Sequence, residues 1–125
     1  IILSLLKKER PTLVAPDFAR DFVFVSDVVD AYLSAAEKNR PQLIFNIGSG
    51  KQTMLMGIYN LIRDIIGVDM EPILDNHTDH PFDKDRRIAD IKMARTYLKW
   101  EPKTNLAKGL QQTVDWFKKN ISLYQ

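Results

Sequence analysis

A mixed α/β fold with an α+β tendency is predicted by three features of the sequence. Short β-branched and aromatic runs alternate with segments whose apolar residues recur at helical spacing. The last third of the chain is helical in pattern throughout, which pulls the reading from α/β towards α+β. The composition, 45% hydrophobic and 27% charged over 125 residues, is that of one globular domain with a modest core.

In chain order, Ile1 to Glu9 runs from apolar to basic, as the last turns of a helix that Pro11 stops. Thr12-Leu13-Val14 reads as a short strand ended by Pro16, and Phe22 to Val25 has the composition of a buried strand. Ser26 or Asp27 can cap the helix that follows, in which Val28, Val29, Tyr32, Leu33 and Ala36 share a spacing up to Asn39. Leu43 to Ile47 is the next predicted strand. It closes on Gly48-Ser49-Gly50, after which Thr53 is placed to cap a second helix with Leu55, Ile58, Tyr59, Ile62, Ile65 and Ile66 on one face. Gly67 sits where a left-handed C-cap belongs. Glu71 to Leu74 reads as a short strand and 75–87 as a polar loop. Asp90 caps a third helix through Leu98, and Asn105 a fourth with Leu106, Leu110, Val114 and Phe117 inward. Asn46 is expected to tie down neighbouring backbone, and Trp100 to be buried between the last two helices.

Lys plus Arg number 18 against 16 Asp plus Glu, spread along the chain without a basic stripe, so nucleic-acid binding has no electrostatic support. With no cysteine there are no disulfides or thiolate metal sites, and the cytoplasm is the expected compartment. No apolar run is long enough to span a bilayer, and Ile1-Ile2-Leu3 followed by Lys7-Lys8 reverses the charge order of a signal peptide. The chain begins without Met inside a helical pattern, and it is expected to be a piece of a longer protein.

Gly48-Ser49-Gly50-Lys51-Gln52-Thr53 follows a predicted strand and opens a helix, with Asp69 and Glu71 about twenty positions on, the layout of a dinucleotide-binding turn. Thr53, however, stands where that motif needs its third glycine, and Asn46 interrupts the strand. The expectation is therefore a structural turn with no cofactor of its own.

Ala19-Arg20-Asp21-Phe22-Val23-Phe24-Val25-Ser26-Asp27-Val28-Val29-Asp30-Ala31 resembles the extended short-chain dehydrogenase/reductases, specifically the NAD(P)-dependent sugar-nucleotide epimerases, dehydratases, decarboxylases and reductases. Phe45-Asn46-Ile47-Gly48-Ser49-Gly50 looks like that family's Tyr/Phe-Asn-(Ile/Leu)-Gly-x-Gly turn. Ala89-Asp90-Ile91-Lys92-Met93-Ala94-Arg95 through Leu98-Lys99-Trp100-Glu101-Pro102-Lys103 is similar to its Ala-Asp-x-x-Lys-Ala…Leu-Gly-Trp-x-Pro segment. Leu106 to Phe117 resembles its final helix. The resemblance implies the C-terminal substrate-binding portion of a Rossmann-type subunit, with short strands and about four helices, occupying residues 1–125 without the N-terminal cofactor domain.

In that family a Tyr-x-x-x-Lys pair removes a proton from a sugar hydroxyl while NAD or NADP takes the hydride. Here Tyr59 is followed four places on by Arg63 and Tyr97 by Glu101, and Tyr32 and Tyr124 also lack the lysine, so no catalytic residue is expected in this chain. The partners implied are a nucleotide-diphosphate sugar and the cofactor domain; a homodimer is also allowed. The resemblance gives Arg20 a phosphate-contact role, suited to a guanidinium fork, with pairing to Asp21 or Asp17 as the alternative. Leu13, Val14 and Ala15 match the stretch along which the family lays the nucleobase, or simply pack a strand. The family's Arg-Pro-Gly-Asp loop is His80-Pro81-Phe82-Asp83 here, so His80 takes the arginine's place and Lys84, Arg86 or Arg87 could substitute. Asp75, His77, Asp79, His80, Asp83 and Asp85 are metal-ligand types without a strict spacing, and they read as an acidic loop over bound substrate, with no metal. The rival to an enzyme part is a stand-alone nucleotide-binding or interaction module.

Overall fold

The computed structural model describes residues 1–38, 43–75 and 87–124. It divides into two compact units, one made of 1–19, 54–85 and 107–125, the other of 20–53 and 86–106.

In the first unit β1 (Thr12–Val14) pairs in parallel with β4 (Ile73–Asp75), in the register Thr12↔Ile73, Leu13↔Leu74 and Val14↔Asp75. Leu13 is buried and its neighbours Thr12 and Val14 are exposed, the alternation a strand imposes. The helices α1 (Ile2–Leu6), α3 (Leu55–Ile66) and α4 (Leu106–Lys119, within this unit from Ala107) supply the remaining elements, with a 3-10 turn at Ile121–Tyr124. Leu5, Leu13, Ile58, Tyr59, Ile62 and Val114 are buried here. The α3 face is the one its apolar spacing predicts, and Gly67 ends it in the left-handed conformation (φ 78°). Its start differs from expectation. Thr53 is no cap: Met54 precedes the helix, and the first free N–H groups, of Leu55 and Met56, donate to the carbonyls of Phe18 and Pro16 at 2.8 and 2.9 Å.

In the second unit β2 (Ala19–Asp21, within this unit from Arg20) and β3 (Gln52–Met54, within it to Thr53) form a two-stranded sheet, and α2 (Val25–Lys38) packs on a π-helical turn at Ala94–Leu98. Ala31, Ile91, Ala94, Leu98 and Trp100 make its core, with Ala35, Phe45, Ile47 and Ala89 packed against it. The Trp100 indole N–H donates to the Asp27 carbonyl at 2.9 Å, so Trp100 is buried against α2 rather than between the last two helices. Asp90 Oδ1 accepts the Lys92 N–H at 3.1 Å, as a cap should, and Asn46 Nδ2 reaches the Asp90 carbonyl. Lys99, at the place of the family's glycine, ends the π-turn at φ 56°.

Two expected strands are absent. Residues 22–24 are irregular before α2 begins at Val25, and 43–47 are irregular as well. Both runs have strand composition, but among the described residues no strand lies beside them to complete a ladder. The apolar spacing of α2 also points the other way from its packing. Val29, Tyr32, Leu33 and Ala36 are exposed, and the buried positions are Asp27 and Ala31. Among the described residues no helix is long and apolar enough to cross a membrane.

Candidate functional site

Arg20 lies half-buried in the middle of β2, followed by Asp21. The Asp21 carboxylate accepts four hydrogen bonds from two distant segments. Its Oδ1 takes the Ser49 N–H at 2.7 Å and the Ser49 hydroxyl, and its Oδ2 takes the N–H groups of Gly50 and Ala89, each at 3.0 Å. Burial by itself would raise its pKa, but the Ser49 hydroxyl and the Ala89, Ser49 and Gly50 N–H groups outweigh burial and hold the carboxyl below its ordinary 3.8.

This resolves the glycine turn. Consecutive N–H groups of a Gly-rich turn make an anion-binding concavity, and the anion held by Ser49 and Gly50 is the protein's own Asp21. Gly50 provides the left-handed residue at φ 71°. Gly48 allows close approach: a Cβ there would stand 2.6 Å from the Ala89 Cβ and 2.8 Å from Asp21 Oδ2. The expectation of a structural turn agrees with this geometry. Asp21 itself was missed as a hub, although the unspent donors of Gly48-Ser49-Gly50 ask for an anion and a carboxylate beside a predicted strand is one.

A second carboxylate, Asp27, is 3% exposed and accepts the N–H groups of Lys103 and Thr104 at 3.2 and 3.0 Å and the Thr104 hydroxyl at 3.3 Å. The sequence reading makes it a cap; the structure places it inside α2 with its side chain turned to residues 103–104. A cavity of about 300 Å³ beside this loop includes Ser49, Lys51, Thr53, Lys103 and Thr104 in its wall. Three of its polar side chains are committed elsewhere: Ser49 to Asp21, Thr104 to Asp27 and the Lys103 ammonium to Asp30 at 3.3 Å. Arg20 does not line it.

The residues singled out in the sequence fall in both units. Leu13, Val14 and Ala15 belong to the first: Leu13 and Ala15 are buried, Val14 is exposed, and Ala15 has a left-handed backbone at φ 52°. Arg20 and Arg87 belong to the second. Arg87 is exposed, two residues before the Ala89 N–H that Asp21 holds. His80, Lys84 and Arg86, with His77, Asp79, Asp83 and Asp85 of the acidic loop, lie outside the described residues. Among the described residues no group of three or more His, Cys, Asp or Glu could hold a metal ion. Tyr59 is fully buried and donates its hydroxyl to the Met70 carbonyl; burial and the Glu71 charge raise its pKa above the ordinary 10.0 despite Arg63 and Arg10. That is a structural hydroxyl.

No family profile matches the chain. Individual proteins do. The chain is 35% identical over 118 residues to the putative UDP-glucose 4-epimerase of Methanocaldococcus jannaschii, a match covering 94% of this chain and 37% of that protein. The crystal structure of the Thermotoga maritima UDP-glucose 4-epimerase with UDP-glucose superposes with a TM-score of 0.88 at 35% identity, over 96% of this chain and 38% of that one. The Bordetella bronchiseptica enzyme WbmF, in complex with NADH, superposes with a TM-score of 0.83 at 30% identity, over 98% and 36%. The chain therefore spans somewhat more than a third of the length of these relatives. With its motifs in that order and its fold superposing on theirs, the chain belongs to the extended short-chain dehydrogenase/reductase family, among the sugar-nucleotide epimerases and dehydratases, and corresponds to the C-terminal portion of their fold.

Proposed function

We propose that this chain is the nucleotide-sugar-binding part of an NAD(P)-dependent sugar-nucleotide epimerase or dehydratase, and that Arg20 is its foremost contact to the diphosphate. The observation that carries the reading is the superposition on an epimerase holding UDP-glucose, joined to the anchoring of the Arg20 strand by Asp21. A guanidinium fork donates two parallel hydrogen bonds to a phosphate, and a strand held by side-chain bonds on its neighbour keeps that fork from wandering. Arg87, exposed and two residues before the Ala89 N–H that Asp21 holds, is the second cation of the grip. Leu13 and Val14 of β1 offer extended backbone for the base, and Ala15 turns the chain out of that strand.

Hydride and proton transfer require a cofactor turn and a Tyr-x-x-x-Lys pair, and this sequence has neither. In this reading NAD or NADP and the reacting base belong to a cofactor domain, and the 125 residues alone catalyse nothing. The apolar residues left exposed on α2 and at Ile44 support a covering domain, since Val25, Tyr32, Leu33 and Ile44 are more than half exposed. That surface disfavours a stand-alone module. The absence of cysteine fits a cytoplasmic site of action.

Calorimetric titration of UDP-glucose into the chain tests the proposal. Weak, saturable binding is expected, and Arg20→Ala should weaken it about tenfold or more, the value of a charge-assisted hydrogen-bond pair. Equal affinity in the variant removes Arg20 from its role, and no binding to the unaltered chain removes the substrate-binding reading.

A further inference from the structure

We propose that Asp21 is a positioning residue: by holding the Gly48-Ser49-Gly50 turn and the segment from Arg87 to Ala89 on one carboxylate, it sets where the Arg20 and Arg87 guanidinium groups stand relative to each other. The inference rests on the diphosphate reading above. Its geometry is independent of that reading. Oδ1 is filled by Ser49 through two donors, and Oδ2 is shared by Gly50 and Ala89. Ala89 lies 68 residues from Asp21 in sequence, so this bond brings the Arg87 segment to the strand that bears Arg20. Successive side chains of a strand point to opposite faces, so an anchored Asp21 leaves Arg20 directed away from the turn. The space is made for the carboxylate, because a methyl group at position 48 would strike both Asp21 Oδ2 and the Ala89 side chain.

An amide in place of the carboxylate separates positioning from mere folding. Asp21→Asn keeps an oxygen for the two Ser49 donors but turns an NH2 towards the Gly50 and Ala89 N–H groups, which can no longer donate to it. The Arg87 segment is then released while the turn remains bound through Ser49. UDP is the probe, titrated into the 125-residue chain and into Asp21→Asn, Arg20→Ala and the double variant. Asp21→Asn should weaken UDP binding about tenfold on its own and by a clearly smaller factor when Arg20 is already Ala, because removing one guanidinium leaves Arg87 with no partner group against which Asp21 can set it. Equal losses in the two backgrounds overturn the proposal.

The Nε–Hε resonances of Arg20 and Arg87, followed by NMR without ligand, give a readout that needs no binding. Distinct, ordered signals are expected in the unaltered chain and averaged ones in Asp21→Asn. Failure of UDP to bind at all discards the diphosphate reading, while unchanged Arg20 and Arg87 signals in Asp21→Asn discard the positioning role. Should Asp21→Asn not fold, Ser49→Ala removes one of the four donors and leaves the carboxylate in place. It should shift the same signals in the same direction, and no shift overturns the proposal.

Discussion

Asp21 and Asp27 belong to the same unit and both use a carboxylate to hold backbone from far along the chain, yet their surroundings separate their roles. Asp27 is almost fully buried on α2. Its donors all come from Lys103 and Thr104, and the Trp100 indole closes over its carbonyl. Asp21 is half-buried in a two-stranded sheet, and its donors come from a glycine turn and from the segment that bears Arg87. The comparison teaches that hydrogen-bond number alone does not mark a functional carboxylate. What distinguishes the two is the neighbour: an indole and a core beside one, a basic residue on the same strand beside the other.

The largest effect expected from this difference is on stability at Asp27. Asp27→Ala leaves the Lys103 and Thr104 N–H groups without their acceptor and should cost about 3 kcal/mol, read as a lower urea midpoint. UDP affinity under folding conditions should stay within about twofold of the parent. A specific loss of affinity there erases the distinction between the two carboxylates.

Gly48→Ala should come next, at about 2 kcal/mol, because a methyl group has to displace the Ala89 side chain and the Asp21 carboxylate together. Here stability and UDP affinity should fall together, unlike at Asp27. Stability lost with affinity unchanged would mean that the turn supports the fold without supporting the grip.

The smallest effect is the acid response. The Asp21 carboxyl is held below its ordinary 3.8 in the folded protein, so its contribution to stability is fully present above that pH and is lost as the pH falls through the lower folded value. Asp21→Asn should therefore flatten the loss of stability below pH 3.8, measured by urea melts at a series of pH values. A parallel acid slope in parent and variant places the titration elsewhere.

How far the fold could be read from sequence depended on how local each signal is. The α3 face, its Gly67 cap and strand β1 were legible because their cues lie within one turn or one strand of the residues they govern. The cap at Thr53 failed because carbonyls of Phe18 and Pro16, over thirty residues away, satisfy the first N–H groups of α3. The burial of α2 failed for a related reason. Its larger apolar residues follow helical spacing, but the π-turn and Trp100 pack on the side where Asp27 and Ala31 lie. At the site, the structural nature of the glycine turn was legible from its motif. Asp21 was not, since its four bonds join positions 28, 29 and 68 residues away.

By itself the sequence determined the family, the mixed α/β class, the kinds of element along most of the chain and the lack of a Tyr-x-x-x-Lys pair, all of which follow from residue types at fixed short spacings. Tertiary structure decided which face of α2 is covered, that 22–24 and 43–47 find no strand partner among the described residues, and which anion the glycine turn holds. Those outcomes depend on which distant donor or apolar surface arrives opposite a given residue, and a chain's local periodicity carries no information about its opposite number.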